Sequence, residues 1–431
     1  MTDSLTRKAY GLLTGDEDAR VCKDIPEEAC REQPRNYLVH LGSLALTKTG
    51  DKFIDPKVTL AWLLAALGAP TAYVSLLVPV HSAFSLLPQL VVAGYLRRLP
   101  VRKWLWCAGS VGQGVALLGI CLAAVNLTGG AAGIAVTLCL LLFSLCRGVC
   151  SVSHKDVLGK TVSKTRRGSV SGYADSFAGL IAIALASWLI LGGGRSLTAV
   201  VLIIMAAALL WFVAAGIYSA LVEERGATGG GSNAISEAGK QLSLLVVDAE
   251  FRHFVVSRTL LLGTALLPPY LVVLTPSLDN QALSGLGLLL LAASIAGFVS
   301  APLWGRLADR SSRITMILGG ACTGVTGLVT LALVGAGWTD ELLLAICLFG
   351  VYVGHAGVRI GRKTHLVDMA DAENRAAYVA VSNTVIGVAL LLLAGFGALI
   401  DILVDQGGLL FYSLMALVGA FMSLRLAEAQ Q

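Results

Sequence analysis

The chain has 431 residues, 56% of them hydrophobic and only 14% charged, at a mean hydropathy of +0.78. Soluble domains carry about 25% charged residues, so a soluble globular fold is excluded and an all-α polytopic membrane protein is predicted. The formal net charge of +5 does not point to nucleic acid, because the basic residues are spread over loops between apolar runs.

Residues 1–57 are polar and nearly charge-balanced. Tyr37, Leu38, Leu41, Leu44 and Ala45 recur at helical spacing, and Gly50 and Pro56 close the segment. This predicts an amphipathic helix on the inner membrane surface, serving as a positional anchor. No signal peptide precedes the first apolar run near Val58. Twelve candidate spans follow, at 58–80, 82–99, 104–126, 131–152, 169–193, 197–221, 253–275, 282–304, 314–336, 341–360, 375–401 and 408–426. The longest internal polar stretch, Glu223 to Arg252, opens with the Gly/Ser-rich Gly226 to Ser232 and continues as a surface helix around Leu242, Leu245 and Val246. The predicted organisation is a cytoplasmic segment 1–57, a six-helix bundle 58–222, a cytoplasmic linker 223–252 and a second six-helix bundle 253–431. The nine cysteines are scattered, mostly inside spans, without a Cys-x-x-Cys pair, and read as reduced packing residues.

Basic residues set the orientation. Arg97, Arg98, Arg102 and Lys103 follow span two; Lys155, Lys160, Lys164, Arg166 and Arg167 follow span four; Arg225, Lys240 and Arg252 follow span six. Arg306, Arg310 and Arg313 follow span eight, and Arg362 and Lys363 follow span ten. The alternate loops offer Arg195, so both termini are expected in the cytoplasm of a bacterial inner membrane.

The run Gly305-Arg306-Leu307-Ala308-Asp309-Arg310-Ser311-Ser312-Arg313 joins two spans by a tight reversal. It resembles the Gly-x-x-x-Asp-Arg-x-x-Arg signature of the major facilitator superfamily, a group of twelve-helix secondary transporters. The resemblance implies two pseudo-symmetric six-helix bundles that rock around a central site, driven by an ion gradient, here protons. An internal repeat fits: shifting the chain by 208 residues aligns Arg147 with His355, Lys155 with Lys363, Arg167 with Arg375, Asp175 with Asn383 and Gly179 with Gly387. The first-half copy of the signature, Gly94-Tyr95-Leu96-Arg97-Arg98, carries Arg98 where the second half has Asp309. The family pattern then implies a cytoplasmic gate in which the Gly305, Asp309, Arg310 and Arg313 loop meets Arg166 and Arg167, while Arg98 meets Asp371 and Glu373, with charges exchanged as a set.

Ionisable groups inside spans are costly and mark candidate sites. Asp175 and Arg147 sit at similar depth in spans five and four, as a proton-coupling pair or a permanent brace. His355 and Arg359 share a face of span ten. With Arg258, Asn383, Tyr73 and Tyr270 they are the candidate cavity residues, favouring an anionic or amphipathic solute. Pro70 and Pro268-Pro269 are expected to bend spans one and seven. Enzyme chemistry is not indicated. Leu158-Gly159-Lys160-Thr161 lacks the upstream glycine of a phosphate-binding loop, His365, Asp368 and Asp371 read as solvated rather than metal-binding, and no cofactor is expected. The partners predicted are a small-molecule solute, protons and lipid, with the chain acting as a monomer. Export of an amphipathic compound and uptake of an anionic metabolite are both open. So is a non-transporting receptor or scaffold on the same fold.

Overall fold

A computed structural model describes residues 6–8, 10–12, 27–89, 92, 95, 99–191, 197–225, 242–274, 283–369 and 375–428. Among them all regular structure is helical. Nine helices of the described residues are long and apolar enough to cross a bilayer, and two shorter apolar helices accompany them. Arg98, Asp371 and Glu373, and the Gly226 to Ser232 run, lie outside the described residues.

The first helix departs most from the sequence reading. α1 (Glu27–Phe53) does not lie on the membrane surface. It packs against α6 (Lys164–Ile190), α7 (Leu197–Ser219) and α5 (Gly129–Thr161), and Tyr37 and His40 have no exposed surface. Its polar residues are satisfied within the bundle rather than by water, which membrane burial requires. Asn36 bonds both backbone groups of Val222, His40 bonds Thr161 at 2.9 Å, and Tyr37 bonds Ser169 at 2.9 Å. Hydropathy scored these side chains as surface because it cannot see their partners.

The next boundary moves as well. α1 breaks at Ile54 to Val58, where Asp55 accepts the Lys57 amide at 2.8 Å, and the chain resumes as α2 (Thr59–Ala66). Gly68 then takes φ +69, a left-handed conformation that closes a helix at little cost only without a side chain. Pro70 caps α3 (Thr71–Leu86). The predicted span 58–80 is therefore two antiparallel pieces, with Pro70 at a reversal instead of a bend. Cys30 is disulfide-bonded, against the reading of all nine cysteines as reduced. It lies in the first turn of α1, ahead of the apolar helices, whereas Cys107, Cys121, Cys139, Cys146, Cys150, Cys322 and Cys347 are free.

The remaining elements are α4 (Lys103–Asn126), a single turn α8 (Leu244–Val247), the broken series α9 (Ala249–Leu260), α10 (Gly263–Leu266) and α11 (Pro268–Val273), then α12 (Leu283–Arg310), α13 (Ser312–Gly335), α14 (Glu341–Asp368), α15 (Arg375–Leu403) and α16 (Gly407–Ser423). Pro268 and Pro269 open α11, positions where a missing N–H costs nothing. Packing repeats along the chain. α4 with α5, α4 with α7 and α3 with α5 recur as α13 with α14, α13 with α16 and α12 with α14. Between the two halves, α10, α11 and α12 touch α2 or α3, and the most extensive contacts that cross are α3 with α15 and α6 with α12. Glycines make both close: a Cβ on Gly287 would meet Ile190 Cγ1 at 2.9 Å and the Ala186 carbonyl at 3.0 Å. One on Gly387 would meet Leu87 Cδ2 at 3.0 Å and the Ala83 carbonyl at 3.9 Å.

Each set is also laced at one end. Glu223, after α7, accepts the amides of Arg102 at 2.9 Å and Lys103 at 2.7 Å at the start of α4. Glu428, after α16, accepts the Ser311 hydroxyl at 2.7 Å and pairs with Arg313 at 3.5 Å at the start of α13. Asp248 caps α9, accepting from the Phe251 amide at 2.9 Å and the Tyr378 hydroxyl at 2.5 Å. Partial burial raises its pKa, but these hydrogen bonds outweigh that and set the carboxyl below its ordinary value. A depressed value stabilises the fold above the unfolded pKa, and the contribution is lost as pH falls through the folded one. Asp248→Asn is expected to lower the thermal midpoint at neutral pH and to flatten its decline below about pH 4, read by scanning fluorimetry across pH.

Candidate functional site

A cavity of about 540 Å³ lies between the two packing sets. Its lining mixes apolar side chains, Val78, Leu86, Leu262, Ile386 and Leu390 among them, with Lys57, Arg147, Arg258, Arg362, Lys363, His81 and His355. Among the described residues no Asp or Glu lines it.

Arg147 is neutralised from behind by a bidentate pair with Asp51 of α1, whose second contact is 2.9 Å. Arg258, 7% exposed, has no such counter-ion among the described residues. Its guanidinium donates to Ser382 at 2.5 Å and Asn383 at 3.1 Å, and its Nε has no hydrogen-bond partner. A buried guanidinium held by neutral acceptors keeps its full field directed into the cavity. His81 stacks on Phe143, and His355 is held between Lys57 at 2.9 Å and Thr264 at 3.0 Å. A smaller chamber of about 130 Å³ adjoins, lined by Lys52, Asp55, Lys57, Tyr352, His355 and Arg359. There the Tyr352 hydroxyl donates to Asp55 at 3.4 Å.

Of the residues singled out by sequence, Arg147, Arg258, His355 and Asn383 meet at this cavity. Arg359 does not; it is exposed and borders the smaller chamber. Tyr73 and Tyr270 are not cavity walls. Their rings fill the space beside glycines, where a Cβ on Gly133 would overlap the Tyr73 ring and one on Gly408 would overlap that of Tyr270. Arg147 and Asp175 do not pair with each other, because α1 runs between their helices and supplies both partners. Arg147 takes Asp51, while Asp175 takes Lys48 at 2.7 Å. Lys57, His81, Arg362, Asp51 and Asp55 were missed. Lys57, Asp51 and Asp55 fell in the segment assigned to the surface, His81 fell in the gap between two predicted spans, and Arg362 was counted only as a loop charge.

The gate contact is not formed in this structure. Asp309 is exposed and makes no ion pair among the described residues. Arg167 instead donates to the carbonyls of Gly159 at 2.7 Å and Val162 at 2.8 Å, closing the end of α5. Arg313 is engaged by Glu428 and by the Leu426 carbonyl at 3.2 Å, Arg310 is exposed, and Gly305 has open space where a Cβ would stand. The close approach of α6 and α12, Ala186 and Ile190 against Gly287, lies at the ends opposite those that carry Arg166 and Asp309.

No family model matches the chain, and no curated protein matches it. Solved structures do. A D-xylose-proton symporter aligns at 11% identity over 92% of this chain and 98% of its own, with a TM-score of 0.66. The nucleoside transporter NupG, in a point-mutant form, aligns at 13% identity over 90% and 98%, with a TM-score of 0.64. The xylose transporter XylE from E. coli, in an inward-open conformation, aligns at 11% over 91% and 95%, with a TM-score of 0.62. A cationic cavity between two sets of helices with matching packing, in a chain that aligns along nearly its whole length with these transporters, gives the protein a fold of the major-facilitator type.

Proposed function

We propose that the protein is a secondary active transporter of an amphipathic anion, working by alternating access and coupled to protons. Its twelve crossings are the nine long apolar helices, α3 and α16, and a first crossing made of α1 and α2 together. They form two six-helix bundles that meet along α3 with α15 and α6 with α12, and the repeated packing supports this division. The termini lie in the cytoplasm of the inner membrane, and the cavity opens on that side in the state described. There Lys363 is exposed and the Asp309 gate is apart.

The observation that carries the reading is the charge of the lining. Lys57, Arg258, Arg362 and Lys363 line a cavity that offers no carboxylate among the described residues, together with apolar side chains that suit a hydrophobic tail. The neighbours' named cargoes, a nucleoside and xylose, leave the solute open, since likeness at this level concerns fold. A proton gradient supplies the drive. The groups through which a proton can enter the cavity's electrostatics are Asp51 behind Arg147 and His355 behind Lys57, with Asp175, paired to Lys48, set outside the lining.

Proteoliposome flux tests this. Naphthalenesulfonate, an amphipathic anion that stays ionised, is expected to enter protein-containing vesicles saturably and faster under an inward proton gradient, whereas phenyltrimethylammonium is not. Binding without flux would favour a receptor or scaffold, and preference for the cation would remove the anion reading.

A further inference from the structure

Lys57 and His355 line both the central cavity and the smaller chamber, so their contact is the partition between the two. It also joins the break between α1 and α2 to α14. The proton positions in this contact follow from its acceptors. Thr264 has one hydroxyl proton, which it gives to the Leu261 carbonyl at 2.8 Å. Toward His355 Nδ1, 3.0 Å away, it can then only accept. Nδ1 therefore carries the ring proton, and Nε2 presents its lone pair to the Lys57 ammonium at 2.9 Å. In this arrangement Nε2 carries no proton, and Lys57 is engaged with it.

The charged and titratable groups that line the two spaces with this ring come from several elements: Lys52, Asp55 and Lys57 from the end of α1 and the break, Tyr352, Arg359, Arg362 and Lys363 from α14, Arg258 from α9, His81 from α3, and Arg147 from α5 with its partner Asp51. Cations dominate. A proton on Nε2 while Lys57 holds this contact would set an imidazolium against the Lys57 ammonium, like charge against like. An anion seated between Arg258, Arg362 and Lys57 reverses the balance. It draws the ammonium away from Nε2, and the freed lone pair can accept a proton whose charge the anion offsets.

We propose that His355 is the solute-linked proton site: one anion entering the cavity releases Lys57 from Nε2, and one proton from solution binds there. The step forms an N–H bond at Nε2, breaks the hydrogen bond from Lys57 and transfers no electrons. Anion and proton therefore enter together without a change in net charge. By reciprocity the anion binds more tightly as pH falls. This inference rests on the anion reading above, and adds where the coupled proton resides.

The test is calorimetric titration of the purified full-length protein with naphthalenesulfonate, repeated in two buffers of different ionisation enthalpy, so that proton uptake is read directly. The wild type is expected to take up about one proton per anion at mildly acidic pH, and less as pH rises. His355→Gln is expected to bind the anion with uptake near zero. Undiminished uptake in His355→Gln overturns the proposal. If His355→Gln yields no folded protein, Thr264→Val decides, since losing the acceptor that holds Nδ1–H must shift the pH range of uptake; an unshifted range overturns it. Anion binding to the wild type with no proton uptake defeats this inference alone. No anion binding at all defeats the reading beneath it.

Discussion

Arg258→Met is expected to weaken naphthalenesulfonate binding by about a hundredfold or more and to abolish saturable flux. A unit charge about 4 Å from an anion, at an effective dielectric near 20, is worth roughly 4 kcal/mol. Losing most of it costs about 3 kcal/mol, or roughly two orders of magnitude in Kd. Arg258→Lys keeps the charge but loses the fork that Ser382 and Asn383 orient, so an intermediate loss is expected. The unliganded Met variant should melt higher than the wild type, because a 7% exposed guanidinium without a carboxylate among the described residues is expensive to keep. Melting curves with and without ligand check both signs. An unchanged Kd in Arg258→Met would remove Arg258 from the solute site.

Gly50→Leu is expected to prevent accumulation of folded protein. A Cβ at position 50 would overlap Trp211 Cζ3 and stand within 2.9 Å of two further ring atoms. Trp211 is 1% exposed and its carbonyl is held by Ser110 at 2.9 Å, so the indole has nowhere to retreat. Overpacking of this severity costs about 3 kcal/mol or more. Gly42→Ala is the matched control, since its Cβ would make an ordinary 3.9 Å contact with Ile217 and should be nearly neutral. Size-exclusion profiles in detergent separate the two. A helix on the membrane surface would tolerate Leu at position 50, so a normal profile for Gly50→Leu would return α1 to the place its hydropathy suggests.

Apolar runs from Trp104 onward were legible because each is long and its polar residues are few. α4, α7, α13 and α16 lie close to where hydrophobicity put them. α1 was not legible, because its Lys48, Asp51 and His40 are answered by residues more than a hundred positions away, or nearly so, in sequence. A window of neighbours cannot register such partners. That one displacement accounts for most of the errors at the site. Arg147 and Asp175 were read as partners at equal depth, yet the partner of each came from the helix that had been left outside. The meeting of Arg258, His355 and Asn383 was visible from the repeat and from the expense of placing charge in a membrane. The two tyrosines were misplaced because only the structure reveals the glycine facing each ring. Lys57 was hidden by a helix break that reads as a loop.

The contacts of α3 with α15 and of α6 with α12 share one construction. On α3 it is Ala83 and Leu87, on α6 Ala186 and Ile190, each a small and a large residue one turn apart, and each meets a single glycine, Gly387 or Gly287. Smooth backbone on one side and a shallow ridge on the other make a bearing rather than a lock. With Glu223 and Glu428 lacing one end of each set, bulk added at Gly287 or Gly387 would press as a wedge on these two contacts, and under the alternating access proposed above it would arrest the swing.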